Sequence, residues 1–122
     1  IEKIKSTKLK YVDSLSIVDY VNLMKRCKAL IGNSSSGIHE TATFNIPTIN
    51  IGTRQQGRLR PNNVIDVGYN KNEILNAINK CKNLKLKHCD KIYGLGDSSE
   101  KIVNLLKLIN INSEIIQKQI TY

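Results

Sequence analysis

Tryptophan is absent from the 122-residue sequence, and phenylalanine occurs once beside five tyrosines. Proteins that hold single-stranded nucleic acid set aromatic faces next to their cations, so this scarcity argues against that class despite a net charge of +9. No duplex-reading motif is present, and the lysines are spread over both ends of the chain and between Lys71 and Lys91. The charge therefore reads as a solvated basic surface, and neither nucleic acid nor membrane is the expected partner. No apolar run reaches the length of a membrane span, and no signal-peptide pattern opens the chain. Cysteine is limited to Cys27, Cys81 and Cys89, an odd number with no C-x-x-C pair. His88 and Cys89 are adjacent, but no second pair completes a tetrahedral zinc site. Neutral thiols in a reducing compartment follow, and with them a cytoplasmic location. No metal and no organic cofactor are expected.

Arginine is scarce as well. Of 19 basic residues only Arg26, Arg54, Arg58 and Arg60 are arginines, and three of these fall within seven residues. In a composition that uses lysine wherever a cation will do, such a cluster marks a place where ammonium does not suffice. Guanidinium offers a planar fork that binds phosphate or carboxylate bidentately. A solvated basic loop is the plainer reading of the cluster taken alone, and the segment just upstream weighs against it.

That segment reads G-N-S-S-S-G-I-H-E from Gly32 to Glu40, fed by the apolar run Ala29-Leu30-Ile31. A strand, a small-residue turn and a helix start in this order make an anion site. Free backbone N–H groups point at the ligand, glycine lets the backbone approach, and serine hydroxyls add donors. A second such unit, T-I-N-I-G-T-R-Q-Q-G-R-L-R, follows at once: Gly52 ends its strand, residues 52–63 are expected to be loop, and that loop carries three arginines. Glu40 lies four residues after Ser36, one helical turn along the same face. From there a carboxylate reaches roughly 5–6 Å past a phosphate at the helix start, where a ribose diol would lie. A solvated carboxylate near a helix start is the competing reading of Glu40.

Along the chain, strands are expected at Tyr11-Val12, 29–31, 48–51 and 64–67. Ser16 with Asp19 resembles a capping box for a helix bearing Ile17, Val21, Met24 and Cys27. Further helices are expected from Ser35 or Ser36 to about Phe44, after Asn70 or Asn72 through Ile74, Leu75 and Ile78, and from an Asp97–Glu100 capping box to Ile109. The tail from Ile111 either extends the last helix or makes another. Alternating strands and helices predict an α/β fold, a parallel sheet with helices on both faces. Ligands of such sheets bind beyond the carboxyl ends of the strands, so loops 32–37 and 52–60 should face one crevice, with a diphosphate as the natural occupant.

The runs G-N-S-S-S-G-I-H-E, P-T-I-N-I-G-T-R-Q-Q-G-R and K-I-Y-G-L-G-D-S-S-E-K-I resemble the C-terminal region of UDP-N-acetylglucosamine 2-epimerases over about residues 11–109. The likeness is to the hydrolysing branch, since the other branch carries D-S-G-G in place of N-S-S-S. The resemblance implies a Rossmann-like C-terminal domain of a two-domain, GT-B-type enzyme, with residues 1–122 a part of that domain. It implies that Ser34 and Ser35 bind the UDP diphosphate, that Ser36 and Gly37 shape the helix start, and that Glu40 takes the ribose hydroxyls. Arg54 belongs to the same site, and Gln55, Gly57 and Arg58 complete its motif. The acid–base carboxylates and a functional histidine lie upstream, so no catalytic residue is expected in this chain, and alone it should not turn over. His39 is read as a helix-surface histidine. The implied reaction converts UDP-N-acetylglucosamine to N-acetylmannosamine and UDP in sialic-acid-type sugar synthesis. The partner is a UDP-sugar, and the full-length enzyme is expected to be a homo-oligomer. A GT-B glycosyltransferase, a non-hydrolysing epimerase and a nonenzymatic basic binding module are the alternatives.

Overall fold

A computed structural model of the chain describes residues 9–84 and 86–117. It divides into two compact units, Ile1–Ile92 and Tyr93–Tyr122. In the first unit, helix α1 (Ile17–Arg26) leads to strand β1 (Leu30–Gly32), a one-turn helix α2 (Ser36–His39) and a 3-10 turn (Thr41–Phe44). Strands β2 (Thr48–Ile51) and β3 (Val64–Val67) follow, then helix α3 (Lys71–Asn83). The second unit holds α4 (Ser98–Leu108) and α5 (Ser113–Ile116).

The three strands pair in the order β1-β2-β3, all parallel, with Leu30 opposite Thr48 and Thr48 opposite Val64. Successive side chains of a strand point to opposite faces. One face therefore carries Ile31, Ile49, Ile51, Ile65 and Val67, and the other Leu30, Thr48, Asn50, Val64 and Asp66. The apolar face is covered by α3: Ile49, Ala77 and Cys81 form the buried cluster, with Ala29, Ile51, Ile65, Val67 and Ile78 packed around it. Burying an isoleucine such as the fully enclosed Ile49 contributes about 2–3 kcal/mol. The polar face is covered by α2 and the 3-10 turn. There the approach is so close that a Cβ on Gly37 would lie 2.6 Å from Thr48 Cγ2.

Beneath the polar face runs a small hydrogen-bonded cluster. Thr41 Oγ1 donates to Gly37 O (2.8 Å), Thr48 Oγ1 donates to Thr41 Oγ1 (2.9 Å), and Asn63 Nδ2 donates to Thr41 Oγ1 (2.9 Å) and to Ile46 O (2.7 Å). Thr41, Thr48 and Asn63 are all buried. The Thr41 hydroxyl takes a carbonyl that would otherwise serve the helix, and the α-helix gives way to the 3-10 turn at that residue. Asn45 ends the turn in a left-handed conformation (φ 55°), which asparagine tolerates, and its Oδ1 accepts from Cys89 N at 2.9 Å.

Strands at 48–51 and 64–67 stand where the sequence places them, and the first strand is displaced by one residue to 30–32. Ser16 caps α1 by accepting from Asp19 N (3.1 Å), and Asn70 caps α3. Two expectations fail, at Tyr11-Val12 and at Asp97. Tyr11 and Val12 form no strand, being exposed and without a ladder partner among the described residues. Residues 52–63 are turns and irregular backbone, the loop that the sequence predicts: this stretch has no helical apolar spacing and Gly57 sits at φ 81°. Asp97 does not cap α4 with its side chain, since its carboxylate pairs with Lys101 at 2.9 Å instead. The tail forms the separate helix α5, capped by Asn112, as far as the described residues reach.

Candidate nucleotide-binding loops

Both loops named from the sequence leave the same edge of the sheet, one after β1 and one after β2. They meet at a single atom, the backbone carbonyl of Asn33. Arg54 Nη1 donates to it at 3.0 Å and Gln55 Nε2 at 2.7 Å. Gln55 is 3% exposed, so this is an interior tie between loops rather than a surface contact. Its Oε1 is buried with no partner among the described residues. Because the peptide unit is planar, holding the Asn33 carbonyl also fixes the direction of the Ser34 N–H.

The turn into α2 uses part of its own donor set. Ser36 N donates to Ser34 Oγ (3.3 Å) and Gly37 N to Ser34 O (3.2 Å). The N–H groups of Ser34 and Ser35 have no partner among the described residues. Ser35 occupies the cap position without a side-chain cap bond, and both Ser34 and Ser35 are exposed. Tyr20 of α1 donates its hydroxyl to Ser36 Oγ at 3.0 Å, which fixes that serine from below. Glu40 closes α2 with its N–H bonded to Ser36 O at 3.0 Å, so the one-turn relation between Ser36 and Glu40 holds, and the Glu40 side chain is exposed. A single helical turn carries little dipole; what the segment offers an anion is local N–H and O–H donors.

The three arginines of the second loop are not equivalent. Arg60 Nε makes a two-oxygen contact with Asp66 (2.9 and 3.2 Å), and Arg60 Nη1 donates to Arg58 O (2.8 Å). Asn50 Nδ2 donates to the same carboxylate at 2.6 Å. Burial pushes the Asp66 carboxyl up, but the hydrogen bonds from Arg60 and Asn50 and the Arg60 charge outweigh it and hold the group below its ordinary range. Arg60 thus serves to latch the loop onto β3. Arg54 and Arg58 are held by neutral acceptors, Asn33 O and His39 Nε2, and keep their charge. Gly57 stands at φ 81° between Gln55 and Arg58, a conformation that favours glycine, with open space around it. Gly52, also at positive φ, lies under the ring of the exposed Tyr69, where a Cβ would collide with it.

Sequence reasoning passed over Asn33, Tyr20 and the partner of His39. Asn33 carried a signal, as it sits inside the Gly/Ser motif. The other two contacts join residues 16 and 19 positions apart across elements, and no periodicity encodes them. Among the described residues no three His, Cys, Asp or Glu side chains come together as a metal site. The thiols of Cys27, Cys81 and Cys89 are all pushed up by burial, which makes them poor nucleophiles. No helix of the described residues is long and apolar enough to cross a membrane.

A family model for UDP-N-acetylglucosamine 2-epimerase matches residues 1–107. The chain belongs to the UDP-N-acetylglucosamine 2-epimerase family. Both loops lie inside the matched span. Among characterised epimerases of this kind, the UDP-N,N'-diacetylbacillosamine 2-epimerase (hydrolyzing) of Legionella pneumophila is 37% identical over 121 residues, covering 96% of this chain and 31% of that protein. The GDP/UDP-N,N'-diacetylbacillosamine 2-epimerase (hydrolyzing) of Campylobacter jejuni is 55% identical over 65 residues, 53% of this chain and 17% of that protein. The UDP-N-acetylglucosamine 2-epimerase of Neisseria meningitidis is 30% identical over 108 residues, 88% of this chain and 29% of that protein. The chain spans less than a third of the length of these epimerases.

Proposed function

We propose that this chain is the UDP-binding part of a hydrolysing 2-epimerase acting on a UDP-linked 2-acetamido sugar, within a GT-B-type two-domain enzyme. The observation that carries the reading is the Asn33 carbonyl shared by Arg54 and Gln55. It draws the Gly/Ser turn and the arginine loop together while leaving the Ser34 and Ser35 N–H groups and most guanidinium N–H groups uncommitted. Membership of the epimerase family supplies the ligand class.

In this reading Ser34 and Ser35 donate to the diphosphate, with Ser36 and Gly37 shaping the turn that presents them. Arg54 and Arg58 add charge-assisted donors, Gln55 and Gly57 hold their loop in place, and Glu40 accepts from the ribose diol. The reaction removes the C2 proton of the sugar, eliminates UDP in the anti sense, and adds water to give the free 2-epimer, N-acetylmannosamine when the substrate is UDP-N-acetylglucosamine. Negative charge grows on the leaving diphosphate as the C1–O bond breaks. Donors fixed in advance at that place stabilise the transition state more than the ground state. The acid–base groups that handle the C2 proton belong to the other domain. The N-S-S-S sequence at Asn33–Ser36 favours the hydrolysing branch, which feeds sialic-acid-type sugar synthesis.

The test uses the full-length protein with UDP-N-acetylglucosamine and with its diacetamido analogue. Release of UDP together with a free 2-epimeric sugar is expected from one of them. Formation of the UDP-linked epimer would mean the non-hydrolysing reaction, and sugar transfer only to an added acceptor would mean a glycosyltransferase. Arg54→Lys should raise the Kd for UDP roughly tenfold, because lysine keeps the charge and loses the fork. Lys71→Ala should leave the Kd unchanged, and equal Kd values for the two variants would remove Arg54 from the site.

A further inference from the structure

His39 has no role in the site described above, yet it is paired with Arg58, which has one. Arg58 Nη1 lies 2.8 Å from His39 Nε2. A guanidinium can only donate, so Nε2 is the acceptor and the imidazole in this pairing is neutral, with its proton on Nδ1. His39 is the last residue of α2, whose turn presents Ser34 and Ser35, and Arg58 belongs to the second loop. The contact therefore ties the second loop to α2, beside the loop-to-loop tie at Asn33.

We propose that His39 is a positioning residue that orients Arg58 through a neutral acceptor, so that the guanidinium keeps its full charge for the anion bound by the neighbouring turn. The inference rests on the reading of Arg58 as part of the UDP site. The contrast with Arg60 carries it. That arginine is fixed equally well, but by a carboxylate, and its charge is cancelled by Asp66. Aspartate or glutamate at position 39 would orient Arg58 too, and would compete with a phosphate for it. An imidazole gives direction without competition. Arg58 spends one of its five N–H groups on His39, and the others have no partner among the described residues.

The test measures UDP affinity by titration calorimetry in the full-length protein for His39→Gln, His39→Glu and His39→Leu, each with Arg58 present and in an Arg58→Ala background. Glutamine keeps a neutral acceptor and should stay within about twofold of the parent. Leucine removes the acceptor and should weaken binding roughly 3- to 10-fold. Glutamate keeps an acceptor but neutralises Arg58, and should weaken binding about tenfold or more. In the Arg58→Ala background the three variants should converge. Equal affinities for the glutamine and glutamate variants overturn the proposal, and this isosteric pair decides the matter even if the leucine variant folds poorly. The same losses with and without Arg58 also overturn it. The UDP-site reading fails in a different way, when Ser35→Ala, Arg54→Ala and Arg58→Ala all bind like the parent. If Arg54→Ala weakens binding and Arg58→Ala does not, the site stands and the role of His39 falls.

Discussion

Two layers of the first unit are built from the same kinds of residue and use them in opposite ways. In the layer under α2, Thr41, Thr48 and Asn63 contribute four side-chain donor hydrogens, and every one meets an acceptor inside the protein. In the loops above it, the Ser34 and Ser35 N–H groups and all but one N–H of Arg54 meet none among the described residues. Buried donors must be satisfied internally because leaving one unmade costs about 1–3 kcal/mol, whereas exposed donors are satisfied by water until a ligand replaces it. The lower layer thus sets positions and the upper layer holds donors ready. Substitutions below should be read in stability, and substitutions above in affinity.

The comparison is tested most severely at Asn63. Asn63→Asp replaces a donor facing Ile46 O with a buried carboxylate and should destabilise the full-length protein by about 3 kcal/mol or more, seen as a lower thermal midpoint. An unchanged midpoint would mean that the lower cluster is not setting the structure. Gly37→Ala comes next. The added methyl meets Thr48 Cγ2 and Leu30 Cδ2, and a loss of about 1–3 kcal/mol is expected in urea unfolding.

Above the boundary, Glu40→Gln should leave the melting temperature alone and cost on the order of 1–2 kcal/mol of affinity for UDP. The cost should be much less for 2′,3′-dideoxy-UDP. The same loss for both nucleotides in calorimetry would show that Glu40 does not read the ribose. Ser35→Ala should weaken both nucleotides alike.

The smallest effect belongs to Asp66, whose Arg60 latch crosses between the layers. Its folded carboxyl titrates below the unfolded value, so the stability it contributes is present above the ordinary carboxylate pKa and is lost as pH falls through the depressed one. Half of the side chain is exposed, so screening keeps the contribution under about 1 kcal/mol. Comparing acid unfolding of the parent with Asp66→Asn should show a slightly shallower acid limb in the variant.

The fold was legible where side-chain pattern and local capping decide it. The β-branched runs gave β2 and β3, and Ser16 and Asn70 marked the starts of α1 and α3. The shared edge of the two loops was legible as well, because parallel strands put consecutive strand ends on one side. The breaks in the pattern were less legible. Thr41 ends the α-helical backbone through a hydroxyl that reaches back to Gly37, and threonine in a sequence does not announce which acceptor it takes. Asp97 looked like a cap and pairs with Lys101 instead, since both outcomes use the same residues at neighbouring spacings. The arginine cluster read as one feature, whereas the structure divides it by what each guanidinium faces: carbonyl, imidazole or carboxylate. Those distinctions are three-dimensional.

The sheet's pairing also bears on how quickly the fold assembles. Leu30 pairs with Thr48 and Thr48 with Val64, so each ladder closes a loop of about 16–18 residues. Parallel sheets fold slowly when long crossovers must be closed before any strand contact compensates, and the two crossovers here are short. Strand β2 is the shared partner of both ladders, and neither outer strand pairs with the other. The three strands should therefore form one kinetic unit that zips outward from β2, within reach of a chain still being synthesised. Hydrogen exchange on the full-length protein would show the ladder amides of β1, β2 and β3 opening together; separate opening of β1 would place it in a different folding step.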